Sequence, residues 1–154
     1  MKYIAIILML LLPGTVHAQI PEMQQLCKEA GKVKDVNHVS VGSFLLGMAS
    51  KFTGKEQRAV FKMLDNIELV DCCNSGYAPQ LAERAVAVAT AAGAVHLADH
   101  DDGKAMNSLY AVHDGEVIEE LVIIVHERDG CLAVVAMSGR IPLDRLREIS
   151  KIKP

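Results

Sequence analysis

Three Asp-Gly pairs punctuate the C-terminal half of this chain: Asp102-Gly103, Asp114-Gly115 and Asp129-Gly130. Asp-Gly is a leading hairpin signal, because glycine reaches positive φ without a steric cost. The segments around these pairs are strand-like: Ala94 to Ala98, Ser108 to His113, Val117 to His126 and Cys131 to Ser138. Each turn is too short for a crossover between parallel strands. Four strands joined by three tight turns therefore predict an antiparallel meander. Within Val117 to His126, Ile118, Val122 and Ile124 alternate with Leu121, Ile123 and Val125. The segment is apolar on both faces, as is Leu132 to Met137, which predicts central strands covered on two sides.

The upstream half supplies the cover. Met23, Leu26, Cys27 and Ala30 share one side of a helix over Pro21 to Ala30, and Gly31 is a stop signal. Val36 to Val41 alternates as a strand. Ser43 is placed to cap a short helix through Phe44, Leu45 and Met48. Thr53 with Glu56 reads as a capping box for a helix with Val60, Met63, Leu64 and Ile67 on its apolar face. A strand over Ile67 to Cys72 follows. Pro79 then opens an Ala-rich helix with Leu81, Ala85, Val88 and Ala92 in one stripe, ended by Gly93. Pro142 is read as opening a last helix through Leu143, Leu146 and Ile149, with Arg145, Arg147 and Lys151 near its end. The fold class is thus α+β: an antiparallel, or mixed, sheet ending in a four-stranded meander, with helices mainly on one face.

The first 18 residues read as a secretory leader. Lys2 precedes an unbroken apolar run, Ile4 to Leu12, ended by Pro13-Gly14, and Val16-His17-Ala18 suits a cleavage site. The run is about half the ~20 residues of a membrane-spanning helix. Residues 19–154 then form a single domain, long enough to bury its own core. No lipid-attachment pattern surrounds Cys27, the first cysteine, so the expected product is soluble, periplasmic or secreted.

Export changes the reading of Cys27, Cys72, Cys73 and Cys131. An even count in an oxidising compartment permits disulfides. A bond between the adjacent Cys72 and Cys73 would close a strained ring, which leaves Cys27 and Cys131 as partners for the doublet. Four free, buried thiols are the alternative.

The order of elements and several local segments resemble a known family. Val36-Asn37-His38-Val39-Ser40-Val41, Leu64-Asp65-Asn66-Ile67-Glu68-Leu69-Val70, Glu119-Glu120-Leu121-Val122-Ile123-Ile124-Val125 and the closing Leu132-Ala133-Val134-Val135-Ala136-Met137-Ser138-Gly139-Arg140-Ile141 carry the likeness. Together they resemble the exported bacterial proteins of domain of unknown function 4252, typical of Bacteroidetes, over about residues 22 to 152. The resemblance implies a small α+β domain in the cell envelope, with a link to envelope sensing or adaptation. It carries over no catalytic residue.

The chemistry-bearing groups are sparse. His96-Leu97-Ala98-Asp99-His100-Asp101-Asp102 has the right donors for a divalent metal. On a strand, positions 96, 98 and 100 share a face, with about 13 Å between the outer two, too far for one ion. Cys72-Cys73 lacks the Cys-x-x-Cys spacing of thiol oxidoreductases, and a cysteine beside His38, His96, His113 or His126 is a generic nucleophile–base pairing. Glu119-Glu120 and Asp101-Asp102 are adjacent carboxylates, which a strand turns to opposite faces. Phosphate-binding glycine loops and the Gly-x-Ser-x-Gly nucleophile motif are absent. A formal net charge of −3, with no Trp, gives no basic surface for nucleic acid. From sequence, then, no catalytic, cofactor or metal residue is assigned and no cofactor is expected. The chain reads as a non-enzymatic module for a protein, peptide or small-molecule ligand. A His- or Cys-based metal protein or enzyme is the alternative.

Overall fold

In the computed structural model, residues 20–42 and 54–145 are described, together with Leu46 and Lys51. The element order is α1 (Pro21–Ala30), β1 (Val36–Gly42), α2 (Lys55–Met63), β2 (Leu64–Cys72), α3 (Ala78–Ala91), β3 (Val95–Asp101), β4 (Ala105–Asp114), β5 (Val117–Glu127) and β6 (Leu132–Pro142), then a 3₁₀ turn, Leu143–Arg145. All six described strands join one sheet in the order β1-β2-β6-β5-β4-β3, and every neighbouring pair is antiparallel. The meander is therefore present as β3-β4-β5-β6. Its three hairpins use Gly103, Gly115 and Gly130 at φ values of +86°, +59° and +93°. Extension of β2 against β6 adds the last two strands.

The doubly apolar strands sit where their sequences require. β5 and β6 are central, and each sends alternate side chains to a different core. Val122, Ile124, Leu132, Val134 and Ala136 join one cluster with α1 and α3, through Met23, Leu26, Leu81 and Ala85. Leu121, Met137 and Ile141 join the opposite cluster with Leu46 and Val60 of α2. Two of the three described helices thus share a face, and α2 is the exception.

Several local expectations change. β2 starts at Leu64, so Leu64 and Ile67 belong to a strand instead of the α2 face. Gly54 is the N-cap of α2, with no side-chain cap bond; Thr53 lies outside the described residues. Pro142 ends β6, because its partner Val117 extends the ladder that far, and the 3₁₀ turn Leu143–Arg145 follows it; the rest of the expected last helix lies outside the described residues. The Ser43–Met48 helix, the residues beyond 145 and the leader also lie outside the described residues.

One close approach fixes how the two faces meet. A Cβ on Gly139 of β6 would collide with the backbone carbonyl of Met63, where α2 turns into β2. The register shift between Leu64 and Asn66 falls at the same place. Only glycine lets the α2–β2 junction cross β6 so closely.

These positions predict a ranked series in thermal melts. Gly139→Ala should destabilise most, because backbone must move. Gly130→Val, at φ +93° in open space, should lose about 1–3 kcal/mol from backbone strain alone. Gly54→Ala, at φ −62° with nothing near its Cβ, should melt within a few degrees of wild type. Equal melting of all three would contradict the hairpin and the crossing.

Candidate functional site

Among the described residues, three polar side chains lie inside the sheet's α1-covered face: Glu68 at 4% exposure, Glu120 at 3% and Ser138 at 3%. The pleat explains their company. Glu68 sits opposite Ala136, and Ser138 opposite both Asn66 and Glu120. Residues directly opposite share a face. Ser40 and His38 of β1 continue that face through their partners Glu68 and Val70. Strands far apart in sequence thus assemble one polar patch under α1.

The two carboxyls have different surroundings. His38 Nε2 lies 2.6 Å from Glu68 Oε2, Ser40 Oγ donates to Oε1 at 2.7 Å, and Asn66 Nδ2 donates to the same oxygen at 3.2 Å. Burial pushes Glu68 up, but these hydrogen bonds outweigh it and hold its carboxyl below the usual value. Glu120 has less support. Burial is the largest influence, and the Glu68 charge adds to it; a hydrogen bond from the backbone N–H of Ile20 opposes them. The net result is a carboxyl pushed up to about 8, with Oε2 unpartnered among the described residues. One acid is held ionised and its neighbour neutral at pH 7, a separation typical of sites that hold or pass protons.

Cys27 of α1 closes the patch from above. Its thiol is buried and, by desolvation first and the two glutamates second, pushed up to about 12. It is a packing residue in this state and a poor nucleophile. His38 is the more accessible member of its pair, its side chain 17% exposed against 6% for Glu68. The two shallow grooves nearby lie along the outer surfaces of α1 and α3, lined by residues such as Glu22, Arg84 and Val88, and do not reach the carboxyls.

The groups singled out from sequence are dispersed. Cys73 and Cys131 form a disulfide that joins the end of β2 to the start of β6, while Cys27 and Cys72 are free and buried. Of the two pairings considered for the doublet, only the one through Cys131 is present. The bond spans 58 residues of sequence, a loop long enough for ~4 kcal/mol in a chain-entropy account. Glu127 and Asp129 lie close around Cys131, but its sulfur is committed to Cys73.

His96 and His100 do not share a face. A bulge between His96 and Ala98 shifts the β3 register, so His96 pairs with Tyr110 and His100 with Asn107, residues of opposite parity on β4. The expectation that positions 96, 98 and 100 align assumed an unbroken pleat. His96 instead contacts Asp99 at 2.8 Å and lies against the Tyr110 ring. Asp101 bonds to the Gly103 amide, and Asp102 to the amides of Lys104 and Ala105, which assigns them to the hairpin. His113 contacts its own turn through the Gly115 carbonyl, and His126 is exposed at the far end of β5.

Sequence reasoning missed the Glu68–Glu120 patch. From sequence, Glu120 reads only as half of the Glu119-Glu120 doublet. The available signal was a charge interrupting the apolar face made by Val122 and Ile124.

The raised carboxyl sets a pH dependence. Glu120 binds its proton more tightly in the folded full-length chain than when unfolded, near 4.5. Stability is therefore greatest below about pH 4.5 on this group's account and falls as pH rises toward 8, by up to tenfold in the folding constant per unit. Glu120→Gln should flatten that limb of a denaturant-midpoint profile from pH 5 to 9 and raise the midpoint at pH 8. An unchanged slope would remove the neutral acid.

No curated protein and no solved structure matches the chain. The model described as Domain of unknown function (DUF4252) matches residues 31–149, which takes in every strand and leaves α1 outside, a narrower span than the 22 to 152 expected from sequence. That match covers most of the chain, with β1 at one end and the close of β6 at the other, and the chain belongs to the DUF4252 family.

Proposed function

We propose that this protein is an exported envelope module that works by binding, and that its docking edge is β3, which takes an extended segment of a protein partner. The observation that carries the reading is the state of that strand. β3 pairs only with β4 among the described residues, and six of its seven residues are exposed. Such an edge leaves a row of backbone donors and acceptors ready to bond an added strand. Val95 at 46% exposure and, on β4, Met106 at 41% give apolar anchors at its two ends. The bulge near Leu97 and the polar His96, Asp99 and His100 interrupt the edge, which disfavours indiscriminate self-pairing.

Export to the periplasm or beyond rests on the leader pattern and is supported by the Cys73–Cys131 disulfide, a bond of oxidising compartments. No described helix is long and apolar enough to cross a membrane. A second reading, in which the protein performs acid–base chemistry, is favoured by the separated Glu68 and Glu120 carboxyls. It requires α1 to move, since Cys27 and Met23 are buried in the core beneath that helix.

Two measurements decide these points. Intact mass of the protein from its native envelope should correspond to a chain beginning at Gln19; a retained leader or a lipid adduct on Cys27 would contradict soluble export. Heptapeptides enriched from a random displayed library should shift backbone amide resonances of Val95–Asp101. Shifts centred on the α1–α3 surface instead would exclude the β3 edge.

A further inference from the structure

The Cys73–Cys131 disulfide lies at one end of the sheet, where β2 and β5 end and β6 begins. Cys72 pairs with Leu132, so Cys73 and Cys131 are the next residues on neighbouring strands, with 4.3 Å between their Cα atoms. The β5–β6 hairpin brings two carboxylates to the same place. The Glu127 amide donates to the Cys131 carbonyl, and Asp129 Oδ1 accepts from the Cys131 amide, both at 2.9 Å. One oxygen of Glu127, one of Asp129 and the Cys131 sulfur all lie within 4.8 Å of one another. Cys73 adds a second sulfur, bonded to the first. Glu127, Asp129 and Cys73 are exposed and Cys131 is half-buried, so the group is open to solutes. Arg128, between the two acids in sequence, is ion-paired with Asp101 at 3.6 Å.

The geometry points to a redox-gated metal site: when a dithiol reduces the disulfide, the Cys73 and Cys131 thiolates and the Glu127 and Asp129 carboxylates bind one zinc ion. The inference goes beyond the docking of β3 and does not rest on it. One thiolate of the reductant attacks the sulfur of Cys73, the exposed partner. The Cys73–Cys131 bond breaks, and Cys131 leaves as a thiolate. The second thiol of the reductant then attacks its own sulfur in the mixed disulfide and releases Cys73. The reductant departs as a disulfide, having given up two electrons and two protons. Zinc binding displaces the protons that the two protein thiols have gained.

Two sulfurs and two carboxylate oxygens suit the closed tetrahedral set that zinc prefers. At zinc bond lengths of about 2.0–2.3 Å, tetrahedral donors stand roughly 3.3–3.8 Å apart, so a donor at the edge of the group need move inward by only about 1 Å. The strands keep the two sulfurs together without their bond. The β2–β6 ladder up to Cys72↔Leu132 and the hydrogen bond from the Cys73 amide to the Asp35 carbonyl do not depend on it. Cys72 is turned into the α1-side core and stays outside the set. The intact disulfide closes the site, because the thiolate is the metal ligand. Reduction without metal places two thiolates beside two carboxylates, a repulsion that a divalent cation relieves.

The test compares the purified protein in two forms: oxidised, and reduced with dithiothreitol then desalted without oxygen. Equilibrium dialysis should find one zinc ion per reduced chain, and the oxidised chain should bind zinc far more weakly. Cobalt(II) on the reduced chain should show a sulfur-to-metal charge-transfer band with tetrahedral visible bands. Glu127→Gln with Asp129→Asn, which preserves the acceptor for the Cys131 amide, should weaken zinc binding by at least the roughly 10–100-fold lost with an outer-shell group. Glu116→Gln, in the preceding hairpin, should leave the affinity unchanged. Equal zinc on both forms would overturn the proposal, because the free Cys27 and Cys72 are common to the two. Wild-type affinity in the double carboxylate variant would overturn the four-donor set. Amide resonances of Leu132 to Val134 should stay dispersed in the reduced chain before zinc is added. Their collapse would overturn the site as well, since the ladder is what holds its sulfurs together.

Discussion

The pairing of β5 with β6 is the constraint on which the molecule is arranged. Both strands are apolar on alternating and intervening positions, so neither is stable with one face in water. Their ladder, from Val117↔Pro142 to His126↔Leu132, presents two apolar surfaces at once. Each surface needs a cover. The chain supplies α1 and α3 on one side and α2 on the other, and it places β4 and β2 as the flanking strands. The disulfide then joins β2 to β6, two neighbours in the sheet whose sequence positions are 58 residues apart. That bond restrains the unfolded chain most because the loop it closes is long.

Against this apolar centre the two buried glutamates are costly. The sheet offsets the cost for Glu68 by surrounding its charge with His38, Ser40 and Asn66. For Glu120 it does so by leaving the carboxyl protonated, which costs far less than burying a charge. The two solutions are linked, since the ionised Glu68 is one reason that Glu120 stays neutral. Proton and charge are thus divided between two strands separated by β6. The site is an energetic weak point on the same face as α1, whose N-cap residue Ile20 supplies the hydrogen bond that favours the charged form of Glu120.

Much of this was readable from local chemistry. The three Asp-Gly turns and the doubly apolar strands determine the meander, because turn length and side-chain period act over a few residues. The patch was not readable for a corresponding reason. Glu68 and Glu120 meet through β6, and the register that aligns Ser138 with Asn66 and Glu120 depends on tertiary pairing. The His96–His100 alignment failed over a single residue: one bulge exchanges the two faces of a strand, and no residue between His96 and Ala98 announces it. The helical face drawn through Leu64 weighed local periodicity, whereas the β2 ladder claims that residue for the sheet, as the β6 ladder claims Pro142.

The Ser138-Gly139 step shows why a closing strand can carry a family likeness without carrying a reaction. Ser138 faces the α1 side, opposite Glu120 and Asn66, and is buried there. Gly139, next along the chain, lies against the Met63–Leu64 backbone at the junction of α2 and β2. Two consecutive residues therefore serve opposite faces of β6, one needing a small polar side chain and the other no side chain at all. Any Cβ at 139 would push the α2–β2 junction away from β6. Ile141 then resumes the apolar pattern on the α2 side. The motif is explained by packing at a crossing of three elements, so its presence specifies the architecture that buries Glu120.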